Sequence, residues 1–194
     1  MNKILNNTSH KHYALHKPFG YLSQFVNNQK KRRNKWLLGE LYDFPNGIMA
    51  IGRLDQKSEG LLLLTTDGKV SDLINSSSFE KEYYVLVDGI INEKAIAILS
   101  KGVQININGQ PYLTKPSAVS TEVNLHDYAI KERLVREERH GPTSWLSITL
   151  TEGKFRQIRK MTAAVGFPTL RLIRVRVGNF KLGIASGIAK PIKL

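Results

Sequence analysis

The chain has 194 residues, no cysteine, and 29 Lys plus Arg against 16 Asp plus Glu, a formal net charge of +13. Without cysteine there are no disulfides, thiol nucleophiles or Cys-ligated zinc. The five histidines (His10, His12, His16, His126 and His140) form no helical HxxxH or HExxH pair, so no metal site is expected. Hydrophobic residues make up 41% of the chain, enough for a substantial core. No apolar run approaches a membrane span and no signal-peptide h-region follows Met1, so a soluble, cytoplasmic protein with no membrane partner is expected. The excess of positive charge favours a polyanion partner, through steering and counterion release. Its distribution strengthens that reading. From Lys154 to the C-terminus there are ten basic residues and no acidic one, and a second cluster, Lys30, Lys31, Arg32, Arg33 and Lys35, lies near the start.

In chain order, residues 1–12 are polar and aperiodic, which predicts a flexible leader ahead of one unit over 13–194. A short strand is expected at Tyr13–His16, then a turn at Lys17-Pro18-Phe19-Gly20-Tyr21. Residues 27–35 read as an exposed basic loop, and Trp36–Tyr42 as a short helix ended by Pro45-Asn46-Gly47. A strand at 48–51 leads into the polar loop 52–60, and Leu61–Thr65 forms the next strand. A helix over Lys69–Asn75 follows, then a strand over Lys81–Val87 rich in aromatic and β-branched residues. Asn92 is placed to cap a helix over Glu93–Leu99. Asn108-Gly109 signals a hairpin between Gln104–Ile107 and Tyr112–Leu113. Trp145–Leu150 alternates as a half-buried strand does. A helix over Arg156–Val165 stops at Gly166, and Thr169–Val177 is a last strand. Many strands with short helices and no βαβ spacing predict an α+β fold with a mainly antiparallel sheet.

Asp55, in the loop Gly52-Arg53-Leu54-Asp55, is a compact anion suited to act as nucleophile or base, and Arg53 is able to hold it ionised by pairing. A lone Arg-Leu-Asp is more often a surface turn with a local ion pair. The wider pattern decides between them. His16-Lys17-Pro18-Phe19-Gly20-Tyr21, the run Gly52-Arg53-Leu54-Asp55 through Asp67-Gly68, Lys81-Glu82-Tyr83-Tyr84-Val85, Gly153-Lys154-Phe155-Arg156-Gln157-Ile158-Arg159-Lys160-Met161 and Phe167–Arg174 occur in the order in which similar motifs occur in the RsuA/RluB/RluE group of pseudouridine synthases. The resemblance spans about Tyr13 to Gly178. It is strongest to RluE-like members, which modify large-subunit (23S) ribosomal RNA and lack the N-terminal S4-type RNA-binding domain of many relatives. Lys154-Phe155 stands where Arg-Asn is common.

The resemblance implies the pseudouridine synthase catalytic fold, with an active-site cleft across the sheet. It implies isomerisation of a specific uridine in structured RNA, most directly 23S ribosomal RNA, by base flipping and with no cofactor; separately, nothing in the sequence suggests an obligate dimer, so a monomer is expected. Asp55 matches the essential aspartate, attacking the nucleotide or deprotonating its sugar. Tyr83 matches the tyrosine that stacks on the target base, Arg159 the arginine that pairs with the aspartate, and Leu172 an apolar residue lining the uracil pocket; Arg53 joins them from the motif. Tyr83 and Leu172 are also consistent with core packing. Lys17, Lys30, Lys31, Arg32, Arg33, Arg156, Lys160, Arg171 and Arg174 are expected to contact RNA. The rival reading is a non-catalytic ribosomal RNA-binding or assembly protein, which has no reason to place a carboxylate at the centre of a basic cleft. A glycosidase would need a second positioned carboxylate, and neither Glu59 nor Asp67 makes a specific case.

Overall fold

The computed structural model describes residues 10–26, 35–76, 79–128, 130–135 and 138–194. Lys30, Lys31, Arg32 and Arg33 lie outside the described residues, as do residues 1–9 of the expected leader. The rest of that leader is tied down. Lys11 exchanges hydrogen bonds with Thr66, and His12 already belongs to the first strand.

Eleven strands and three α-helices are described: β1 His12–Lys17, β2 Met49–Ala50, β3 Glu59–Thr65, α1 Gly68–Ser76, β4 Lys81–Asp88, α2 Glu93–Lys101, β5 Gln104–Ile107, β6 Gln110–Leu113, β7 Ala118–Ser120, β8 Thr143–Leu150, α3 Gln157–Ala164, β9 Thr169–Val177, β10 Phe180–Lys181 and β11 Ala189–Pro191. The main sheet runs β11-β1-β3-β9-β4-β8-β7, with β2 beside β3 and β10 beside β9; β5 and β6 form a separate hairpin. Every pairing is antiparallel except β3 with β9. The fold is therefore α+β with a mainly antiparallel sheet. The helix expected over Trp36–Tyr42 is only a 3₁₀ turn, Leu38–Glu40. Leu38 is buried there as an anchor. Gly39 lowers helix propensity and Pro45 bars continuation a few residues on, so only one turn forms.

β3 is buried along its whole length, as its apolar run demands. Its alternation separates two cores. Leu61 and Leu63 join Ile173, Val175 and Val177 on one face, while Leu62 and Leu64 join Leu15, Leu38 and Leu54 on the other. A third cluster sits under α2 and α3, where Leu99, Ile158 and Met161 pack on Val85, Val87 and Leu146. Local chemistry sets the helix and turn positions. The Asn92 side chain accepts the Ala95 N–H at 2.9 Å, and Asn108 and Gly109 both take positive φ at the β5–β6 turn.

The parallel contact of β3 with β9 fixes the centre of the molecule. Glu59 pairs with Ile173 and Gly60 with Arg174. Gly60 has φ +106°, and a Cβ there would lie 2.2 Å from the Arg174 carbonyl oxygen. Only glycine admits that approach. It holds the loop before β3 against the β9–β4 region.

Candidate active site

Asp55 opens a turn that closes when the Ser58 N–H donates to its carbonyl oxygen at 2.9 Å. A second segment clasps this turn. The Ser23 hydroxyl donates to the Leu54 carbonyl at 2.8 Å and accepts the Leu54 N–H at 3.0 Å. Gly20 N–H donates to the Gln56 carbonyl at 2.8 Å, and the Gln56 side-chain amide returns a bond to the Gly20 carbonyl at 3.1 Å. Lys17 lies beneath, with no exposed surface, its ammonium donating to the carbonyls of Pro18 and Tyr21 at 2.9 and 2.7 Å. Burial drives its pKa down to about 7, against the opposing pull of Glu59 and Asp55. Ser23 and Gln56 meet their partners 31 and 36 residues away, and no sequence signal announces either.

The turn forms one wall of a cavity of about 920 Å³ that also takes in Arg53, Tyr83, Arg156 and Leu172. Register explains the convergence. On β4 and β9, Val85 stands opposite Leu172, and Tyr83 lies two residues from Val85 on the same face. Asp55, Tyr83 and Leu172 thus meet around one space. An anion, an aromatic ring and an apolar contact there suit a planar base brought to a carboxylate.

Two arginines are placed differently from the expectation. Arg156, expected on RNA, is the residue whose Nη1 reaches Asp55 Oδ2, at 3.4 Å. It lies before α3 in a left-handed conformation, φ 52°, so the helix begins at Gln157 and the Arg156 side chain leaves the helical face. The pair is partly exposed, and such pairs contribute at most about 1 kcal/mol; its effect is to orient the carboxylate. Arg159, expected on Asp55, donates instead to the Lys57 carbonyl at 2.8 Å and the Thr169 carbonyl at 3.3 Å. It bolts the turn to β9. Burial and the Arg156 charge lower its pKa, with Asp55 and Glu59 opposing. Arg53 is exposed and makes no ion pair with Asp55 among the described residues.

Two expected RNA contacts are corrected. Lys17 and Arg171 are buried and occupied; Arg171 grips Glu59 at 2.9 and 3.1 Å and reaches the Lys131 carbonyl. Arg133 joins the same carboxylate at 3.1 Å and lies over the Phe19 ring. Glu59 is buried, which alone would raise its pKa, but these guanidinium partners bring it below the usual value. Arg174 is 4% exposed, and its Nε donates to the Leu61 carbonyl at 2.7 Å. Basic residues in a strand at a sheet centre are lodged inside it, and charge counting does not reveal that. Lys160 stays at the surface region of α3, bonded to the Asn106 carbonyl and 5.3 Å from the Phe155 ring.

Among the described residues no helix is long and apolar enough to cross a membrane, and no group of three or more His, Asp or Glu side chains is placed to hold a metal ion. Residues 11–164 match the family model described as RNA pseudouridylate synthase. The chain is 38% identical over 170 residues to "Ribosomal large subunit pseudouridine synthase E" of Xanthomonas axonopodis pv. citri (strain 306), covering 87% of this chain and 86% of that one. It is 37% identical over 183 residues to the protein of the same name from Vibrio parahaemolyticus serotype O3:K6 (strain RIMD 2210633), covering 92% and 72%. A solved structure described as "Crystal structure of pseudouridylate synthase" superposes with a TM-score of 0.73 at 25% identity, covering 95% of this chain and 71% of that one. A match over most of the length, joined to this fold, shows that the chain belongs to the RNA pseudouridylate synthase family.

Proposed function

We propose that this enzyme converts one specific uridine of 23S ribosomal RNA to pseudouridine in the cytoplasm, with Asp55 as its catalytic carboxylate. The observation that carries the assignment is the meeting of Asp55, Tyr83 and Leu172 around one cavity. The large-subunit names of the relatives support the RNA class.

A uridine in a stack cannot present its glycosidic bond to a carboxylate, so the nucleotide must turn out into the cavity. The Tyr83 ring then offers a face to the uracil, and Leu172 excludes water from one edge. Asp55, oriented by Arg156, acts on the nucleotide as nucleophile or base. The C1′–N1 bond breaks, the uracil rotates, and C5 bonds to C1′. The proton lost from C5 is balanced by the one gained at N1, so the reaction is a net isomerisation needing no redox partner or second substrate.

The test maps pseudouridine in ribosomal RNA from cells with and without the gene, then supplies Asp55→Asn. One site should vanish with the gene and return only with the wild type, while purified Asp55→Asn folds, binds RNA and turns over undetectably. Unchanged maps, or near-normal turnover by the purified variant, would overturn the assignment.

A further inference from the structure

Behind Tyr83 lies a second cavity of about 290 Å³, which shares Arg53, Tyr83, Glu152 and Gly153 with the first. Its wall includes Lys81 from the start of β4, Arg174 from β9, and Asn75 and Ser76 from the end of α1. Lys81 and Arg174 are close enough that the guanidinium depresses the lysine's ionisation, after burial itself. Like charges brought together in a partly desolvated place destabilise one another unless something neutralises them. Among the described residues neither cation forms an ion pair; Lys81 Nζ donates to the Phe79 carbonyl and Arg174 Nε to the Leu61 carbonyl. Glu152 is the one carboxylate in the wall. Its oxygens are held elsewhere, by the Tyr112 hydroxyl, the Lys115 N–H and the Gln157 amide.

We propose that this cavity seats a backbone phosphate of the RNA next to the flipped uridine, with Lys81 and Arg174 as its cationic ligands and Asn75 and Ser76 as polar neighbours. The assignment rests on the uridine-isomerising reading of the adjacent cavity and adds to it a fixed point for the chain. Sheet-mounted cations are rigid, unlike surface lysines. A phosphate held on them, with Tyr83 as the shared wall, sets how far the flipped nucleotide enters. Phosphate contacts of this kind position without reading sequence. A guanidinium fork beside an ammonium also suits an oxyanion better than it suits any neutral group.

The test uses RNA hairpins carrying the mapped uridine, either all-phosphate or with a single uncharged methylphosphonate at each linkage around it. Binding is measured against salt for the wild type, Lys81→Met and Arg174→Lys, with melting curves to confirm folding. Lys81→Met should flatten the log–log salt slope by about 0.7, the share of one single-strand phosphate. One neutral linkage should weaken wild-type binding about tenfold, as expected when a charge-assisted hydrogen bond is removed, and cost Lys81→Met little more. Arg174→Lys keeps the charge but loses the fork, and should give a smaller loss at that same linkage; this variant carries the test should Lys81→Met fail to fold. An unchanged slope, or the same methylphosphonate penalty at every linkage in all three proteins, overturns the proposal. Inorganic phosphate provides the remaining arm. If it binds the wild type through Lys81 while no neutral linkage matters, the seat is for a free anion and the RNA assignment is wrong. Pseudouridine formation is scored separately, so loss of the phosphate seat and loss of the isomerase reading give different results.

Discussion

Lys17 carries its ammonium into the interior beside the turn that presents Asp55, and its physical cost is readable in pH. Burial lowers its pKa from 10.5 to about 7. Below about pH 7 the folded protein must hold the buried charge. Between that pH and about 10.5 the unfolded chain binds the proton that the folded chain has released, so this group's contribution to stability rises with pH. Denaturant titration of the wild type and Lys17→Met, without RNA, should therefore show their difference moving in favour of the wild type from about pH 7 to about pH 10, by on the order of a few kcal/mol. A difference flat across that window contradicts the assignment of a depressed pKa to Lys17. Tyr83 makes a separate demand. If its ring is the platform for the uracil, Tyr83→Phe keeps far more single-turnover activity than Tyr83→Leu or Tyr83→Ala, since stacking contributes about 1–3 kcal/mol per base; equal losses in Phe and Ala variants would move the role to the hydroxyl. At this scale the family resemblance named Asp55, Tyr83 and Leu172, and all three line one cavity, Tyr83 and Leu172 through strand register and Asp55 through its turn. The sequence could not say which arginine faces the carboxylate. The spacing of Arg156, Arg159 and Lys160 assumes one continuous helix, and the left-handed turn at Arg156 breaks it.

Elements bring these side chains together through one close approach, that of β3 to β9, and Gly60 is where it is tightest. Gly60→Ala places a Cβ 2.2 Å from the Arg174 carbonyl oxygen at φ +106°, so backbone must move. Gly109 has a comparable φ of +83°, yet a Cβ there meets nothing within 4 Å. Gly109→Ala should then cost only the backbone penalty, about 1–2 kcal/mol, whereas Gly60→Ala should cost several and also reduce activity in the fraction that folds. Urea midpoints of the two variants decide it; equal losses would mean that φ alone, rather than the packing of β9, makes Gly60 necessary. Legibility of elements followed the same division between local and tertiary causes. Thr169–Val177 and the Asn108-Gly109 hairpin agree with the structure because β-branched composition and turn chemistry are local. So does the Asn92 cap. The short strands β7, β10 and β11 have too few residues for periodicity, and pairing with β8, β9 and β1 makes them strands. Nor does any sequence pattern reveal that β3 and β9 run parallel in a sheet otherwise antiparallel.

For the molecule as a whole, the formal charge of +13 overstates what RNA can meet, because some cations are structural. Arg171 is spent on Glu59 inside the sheet, and its charge stays with that partner. Lys30, Lys31, Arg32 and Arg33 form a run of four positive charges with no acid between them. If that run meets phosphates, replacing all four by Gln weakens RNA binding and flattens its log–log salt dependence. The slope should fall by about 0.7 for each single-strand phosphate no longer neutralised, or about 0.9 for each duplex phosphate. Arg171→Met is the control. It should leave the slope of the folded protein close to that of the wild type while lowering its stability, because it strands Glu59 beside Arg133 alone. Binding isotherms over a series of salt concentrations, joined to melting curves, separate the two effects. Single-turnover chemistry at saturating RNA adds a third axis. The quadruple variant should react at nearly the wild-type rate once bound, whereas Arg159→Ala, which unfastens the turn after Asp55 from β9, should be slow even when saturated. A quadruple variant slow in chemistry but normal in slope, beside an Arg159→Ala that loses only affinity, would show that these charges exchange roles.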